Sequence, residues 1–136
     1  MRAQATASRA FASDYLSAYC FSTDIVGRAV YVMGDKVGTR YQVSTVDIDD
    51  INKMPAVGII VSKQTSTTCI VQIGGVVRGL HAGLTPARPL LAQPSGLLGQ
   101  SYVRPAAGQR WLQHMGVALS STDVLLELQK PVGIRS

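Results

Sequence analysis

Ala56-Val-Gly-Ile-Ile-Val61 is a continuous apolar run with a glycine inside it. A run of this length, rich in β-branched residues, reads as a strand covered on both faces. Ser62 to Thr68 is polar and reads as a hairpin tip. Cys69-Ile-Val-Gln-Ile73 returns from that tip, and Gly74-Gly75 is expected to break it. The pattern recurs: Met115-Gly-Val-Ala-Leu-Ser120 matches Val57-Gly-Ile-Ile-Val-Ser62, with Gly116 on Gly58 at an offset of 58. Glycine inside an apolar strand marks a bulge, a barrel corner or a close backbone approach.

Working outward, the repeat lengthens. Val30-Tyr-Val-Met-Gly-Asp-Lys-Val-Gly38 and Arg88-Pro-Leu-Leu-Ala-Gln-Pro-Ser-Gly96 each run an apolar strand into a turn closed by Gly, again at offset 58. Cys69-Ile-Val-Gln-Ile73 matches Val124-Leu-Leu-Glu-Leu128 at offset 55, so the second hairpin is expected to have lost three residues. Hairpin tips tolerate such changes better than strands do. Arg28 to Met33 and the alternating Thr39-Arg-Tyr-Gln-Val-Ser-Thr45 add strands to the first unit. The units span residues 25–75 and 80–131, and neither is large enough to bury a useful core alone, so they must share one.

Composition agrees. Of 136 residues, Val is the commonest with 15 copies, while Glu occurs once (Glu127) and Lys four times. That excludes a bundle of long solvated helices. The 46% hydrophobic and 15% charged fractions exclude disorder. No apolar run approaches the ~18–20 residues of a membrane-spanning helix. The expected fold is mainly β: a small β-barrel, or a β-tulip or sandwich, of two similar units behind an extended or short-helical N-terminal arm.

That arm is residues 1–24, with the β-domain at 25–136. The first 18 residues hold six Ala and no β-branched run. Phe11, Tyr15 and Tyr19 recur at i, i+4, i+8, which places them on one face of a short helix. That face packs either on the chain's own core or, with Arg2 and Arg9 upstream, on another subunit. Removing residues 1–20 is expected to leave the β-domain folded.

No residue pattern points to catalysis. His81 and His114 have no Cys or carboxylate at ligand spacing, and no phosphate-binding loop or nucleophile elbow occurs. No catalytic residue, metal or cofactor is expected. Asp47, Asp49 and Asp50 form the sharpest polar cluster, but the Gly turn and distal Glu of a calcium loop are missing. They read as turn caps, or as the acidic half of an intersubunit contact. Trp111 is a core anchor or an interface hot spot. Leu80, Leu84, Leu90, Leu91, Leu97 and Leu98 lie among prolines, and most of them belong to a core. Cys20 and Cys69 read as small buried apolar residues, and a disulfide between them needs Cα atoms within about 7 Å. The opening residues lack the apolar stretch of a signal peptide, which points to synthesis in a reducing cytoplasm. The net charge of +5 is dispersed, with no two basic residues adjacent, which argues against nucleic acid.

The strand, Gly-closed turn and hydrophobic-Gly-hydrophobic strand, carried by Val30 to Gly38 with Val57 to Val61 and by Leu90 to Gly96 with Met115 to Leu119, resembles the decoration (cement) proteins of tailed-phage capsids and related head-fibre base domains. The resemblance covers roughly residues 25–130. It implies a virion structural protein on the capsid surface, a homotrimer that bridges major capsid subunits and uses its N-terminal arm for the capsid contact. The arm residues are Arg2, Arg9, Phe11, Tyr15 and Tyr19. Two other readings stay open: a receptor- or carbohydrate-binding module of a tail or head fibre, favoured by exposed aromatics away from the arm, and a basic nucleic-acid-binding β-barrel, favoured by aromatics on one strand face flanked by Arg.

Overall fold

The computed structural model describes residues 14–101 and 108–135. Arg2, Arg9 and Phe11 lie outside the described residues. The described chain runs through β1 (Asp14–Tyr19), β2 (Ala29–Val32), β3 (Tyr41–Thr45), β4 (Gly58–Lys63), β5 (Thr68–Val77), β6 (Pro89–Ala92), β7 (Leu98–Gly99), β8 (Gln109–Leu112), β9 (His114–Ala118), β10 (Val124–Leu126) and β11 (Val132–Arg135). Single 3-10 turns occur at Ile51–Lys53 and Pro94–Gly96.

The first five strands close into a barrel. Their order is β1-β3-β2-β4-β5, and β1 pairs back onto β5. Ala18, Val30, Val43, Ile60, Cys69 and Val71 fill its interior. The alternation of a strand sends the neighbouring residues outward. Ala29 and Ile59 therefore leave the barrel wall and join Leu90, Met115, Ala118, Val124 and Leu126 in a second cluster. This explains the unbroken apolar run at Ala56 to Val61: Ile60 faces into the barrel and Ile59 faces the second unit. The expected shared core exists, and the first unit has an interior of its own besides.

Beyond the barrel the sheet continues β5-β10-β9-β6-β7, while β8 and β11 form a separate ribbon. The path β3-β2-β4-β5 is thus written again as β7-β6-β9-β10. Pairing fixes the correspondence. Val30 lies opposite Gly58, and Leu90 opposite Gly116. Ile60 N donates to Arg28 O at 3.1 Å, and Ala118 N donates to Arg88 O at 3.1 Å. The two copies are therefore offset by 60 at their first strand, not 58. Ile59 pairs with Gln72 and Val117 with Leu125, so the last strands are offset by 53, not 55. The second β-hairpin lost five residues, not three, as 12 residues separate the first pair and 7 the second.

Three further expectations are corrected. The Gly74-Gly75 pair does not end its strand: β5 runs through it to Val77 and serves both units. Gly75 pairs with Leu126 there, so the glycines mark the handover between barrel and open sheet. Residues 14–19 are extended, not helical. In a strand, too, residues four apart share a face, so the Tyr15–Tyr19 spacing could not separate the two. Pairing of β1 with β3 and β5 decides the matter. A boundary after residue 24 also falls inside barrel sequence, and deleting residues 1–20 would remove a barrel wall.

Gly58 and Gly116 share one physical reason. A Cβ on Gly58 would strike the carbonyl oxygen of Gln72, and one on Gly116 that of Leu125. Gln72 and Leu125 are the corresponding residues of the two units. The strands approach so closely at both places that only glycine fits. Gly116 adds a φ of 152°, which disfavours any side chain.

Candidate interaction face

Among the described residues, the outer face of β1 and the loop after it carry the densest set of exposed large apolar side chains along the sequence. Tyr15 (55% exposed), Tyr19 (40%) and Phe21 (51%) are followed by Ile25 and Val26. Soluble surfaces scatter such residues singly, whereas five of them fall here within twelve residues of sequence. Tyr15 and Tyr19 point outward because their neighbours Leu16 and Ala18 turn into the barrel. Arg40 holds its guanidinium 5.7 Å from the centre of the Tyr19 ring and donates to Gln64 Oε1 at 3.2 Å. A groove of about 310 Å³, lined in part by Val61, Val76, Arg78 and Leu80, flanks Tyr15.

The loop is built as firmly as the strand. Asp24 is buried, and its Oδ2 accepts from Phe21 N at 2.8 Å. Its Oδ1 accepts from Thr45 N at 3.2 Å and Thr45 Oγ1 at 2.8 Å. Lys63 Nζ donates to the carbonyls of Asp24 at 2.9 Å and Phe21 at 3.2 Å. These bonds fix the backbone and leave Phe21, Ile25 and Val26 facing solvent. Sequence reading missed Asp24. Its one legible signal was a lone acid between polar residues and an apolar strand, the usual setting of a turn cap.

The acidic cluster is engaged within the chain. Asp47 Oδ1 accepts from Asp49 N at 2.9 Å, and Asp50 Oδ1 accepts from Asn52 N at 2.9 Å, capping the short 3-10 turn. Asp49 Oδ1 meets Arg110 Nε at 2.7 Å. Beside this pair, Trp111 N donates to Ile48 O at 2.8 Å. The Trp111 ring packs on the core between the units. The loop at residues 47–50 therefore ties β8 to the first unit. Among the described residues, no group of three or more His, Cys, Asp or Glu is placed to hold a metal, and no helix is long and apolar enough to cross a membrane.

Gln113 also joins the units. It is buried, its Nε2 donates to Ala56 O at 3.0 Å, and its Oε1 accepts from Ala56 N at 2.8 Å. One side chain thus satisfies both backbone groups of Ala56, as a neighbouring strand would.

No family model, curated protein or solved structure matches this chain.

Proposed function

We propose that the protein is a virion structural protein that decorates a phage capsid, bridges major capsid subunits and stabilises the shell as a homotrimer. One observation carries this reading: among the described residues, five of the eleven exposed large apolar side chains fall within residues 15–26, on β1 of the barrel and the hydrogen-bonded loop that follows it. Tyr15, Tyr19, Phe21, Ile25 and Val26 form the docking face, and Arg2, Arg9 and Phe11, outside the described residues, are assigned to the capsid contact by the resemblance alone. Binding to the assembled shell in preference to free subunits stabilises the shell by linkage. Three copies acting together multiply weak contacts into durable attachment. The aromatics lie beside the arm and not away from it, which favours shell docking over a fibre receptor site.

A second reading keeps one observation. Tyr15 and Tyr19 share a strand face with Arg40 over one ring, a combination that also suits stacking of single-stranded nucleic acid. Four strand residues separate the rings by roughly 13 Å, however, too far for successive stacked bases.

The test is co-sedimentation with expanded capsids of the phage that encodes the protein. The Y15S/Y19S/F21S variant, folded by circular dichroism, should lose occupancy at least tenfold, and a chain lacking residues 1–13 should lose occupancy too. Wild-type occupancy by the triple variant overturns the reading. Salt-sensitive binding of a labelled oligothymidylate by the wild type, lost in the triple variant and without capsid attachment, would install the second reading instead.

A further inference from the structure

Cys20 and Cys69 are both unbridged and buried. Cys69 lies on β5 opposite Ala18, with its side chain inside the barrel. Cys20 is one residue past the end of β1, and its amide donates to Thr67 O at 2.9 Å, so the ladder still runs there. Alternation puts Ala18 and Cys20 on one side of that strand. Cys20 is thus the diagonal neighbour of Cys69 in one interior cluster. The two thiols sense each other: burial, and then the Cys20 thiol beside it, push the Cys69 thiol up to about 12.

Diagonal neighbours across an antiparallel ladder have Cα atoms about 7–8 Å apart. A disulfide takes up to about 6.8 Å. The remaining distance of roughly 1 Å must be closed at the end of β1, where strand pairing stops at Tyr19 and Cys20 keeps one amide bond, to Thr67 O.

We propose that Cys20 and Cys69 are an oxidisable pair that forms an intramolecular disulfide when the protein leaves a reducing compartment and meets a peroxide. Cys20, at 6% residue exposure against 0% for Cys69, is taken as the residue the oxidant reaches first. Hydrogen peroxide converts its thiol to a sulfenic acid and releases one water. The Cys69 thiol then attacks that sulfur, the S–S bond forms as the Cys69 S–H bond breaks, and the sulfenic hydroxyl leaves with that proton as a second water. Each sulfur loses one electron, and the peroxide takes up both. The bond ties β1, the strand that carries the docking face, to the centre of the barrel. Its use as a staple that closes after release from the host rests on the shell reading above, but the chemistry does not.

The experiment uses the purified full chain, folded, with hydrogen peroxide and a catalase quench. Intact mass should fall by two hydrogen atoms, and digestion should yield a Cys20–Cys69 linked peptide. The thermal midpoint should rise by roughly 5–10 °C, as expected for closing a loop of about 50 residues. Cys20→Ala and Cys69→Ala chains should show neither the link nor the rise. Two free thiols after native oxidation, linkage only between chains, or linkage only in denaturant overturns the proposal. Capsid binding enters none of these readouts, so failure of the pair and failure of the shell reading are separable.

Discussion

The barrel and the open sheet follow the same five-strand path to different ends. In the first unit β1 pairs antiparallel with β5, runs on to Tyr19, and closes on β3 through Ala18 and Tyr19. In the second unit the end of β5 takes the corresponding place: Gly75, Val76 and Val77 pair with β10, and Gly79 N still donates to Thr122 O at 3.2 Å. Ladder positions match Gly79 with Ala18. Ala18 is extended and fully buried, whereas Gly79 has a φ of 70° and turns the chain out of the sheet. Nothing among the described strands then closes on β7, whose one partner is β6. A duplicated path does not fix closure, because closure depends on whether one strand stays extended for two more residues.

The difference has an energetic side. The first unit owns an interior and also lends Ala29 and Ile59 to the second. The open unit buries its apolar face against the barrel's outer wall and depends on it. The two matched glycines test this with the largest expected effect. Gly116→Ala forces a methyl into a backbone carbonyl and adds a strained φ, a loss of about 4 kcal/mol in urea unfolding. Gly58→Ala has the same collision without the φ, for about 2–3 kcal/mol. Equal losses would show that the φ at Gly116 costs nothing.

Next in size is Gln113→Ala, which leaves both backbone groups of Ala56 unpaired beneath the second unit. A loss of about 2–3 kcal/mol is expected, read as a lower urea midpoint at unchanged slope. A lower slope would sharpen the comparison further, because it would mean that the open unit separates from a barrel still folded. A loss below about 0.5 kcal/mol would remove Gln113 as a link between the units.

Much of this was legible in the residues. The glycine inside each apolar run located the two corresponding strands, because a backbone contact that excludes Cβ leaves its mark at the same place in both copies. The offsets did not read correctly. Apolar residues substitute freely for one another, so only ladder pairing could show that Val30 corresponds to Leu90. Gly74-Gly75 looked like a break, since glycine disfavours strands, yet Gly74 pairs with β1 and Gly75 with β10, and Gly75 carries the strand on at a φ of 82° that glycine takes without strain. Tyr15 and Tyr19 were identified as a face but assigned to a helix, as an even spacing suits both periods. Gln113 was invisible because its partner, Ala56, lies far away in sequence, and Asp24 was legible at most as a local turn cap, because Thr45 is equally remote.

The asymmetry between the units is tested most directly by hydrogen exchange at two corresponding amides. Ile60 N–H and Ala118 N–H make the same bond, to Arg28 O and Arg88 O, at the same 3.1 Å. Local bond geometry therefore cannot separate them, and only the stability of the surrounding unit can. The account predicts that Ile60, inside the closed barrel, exchanges at least tenfold more slowly than Ala118, a gap of about 1.4 kcal/mol in opening free energy. Equal protection, or slower exchange at Ala118, would contradict it.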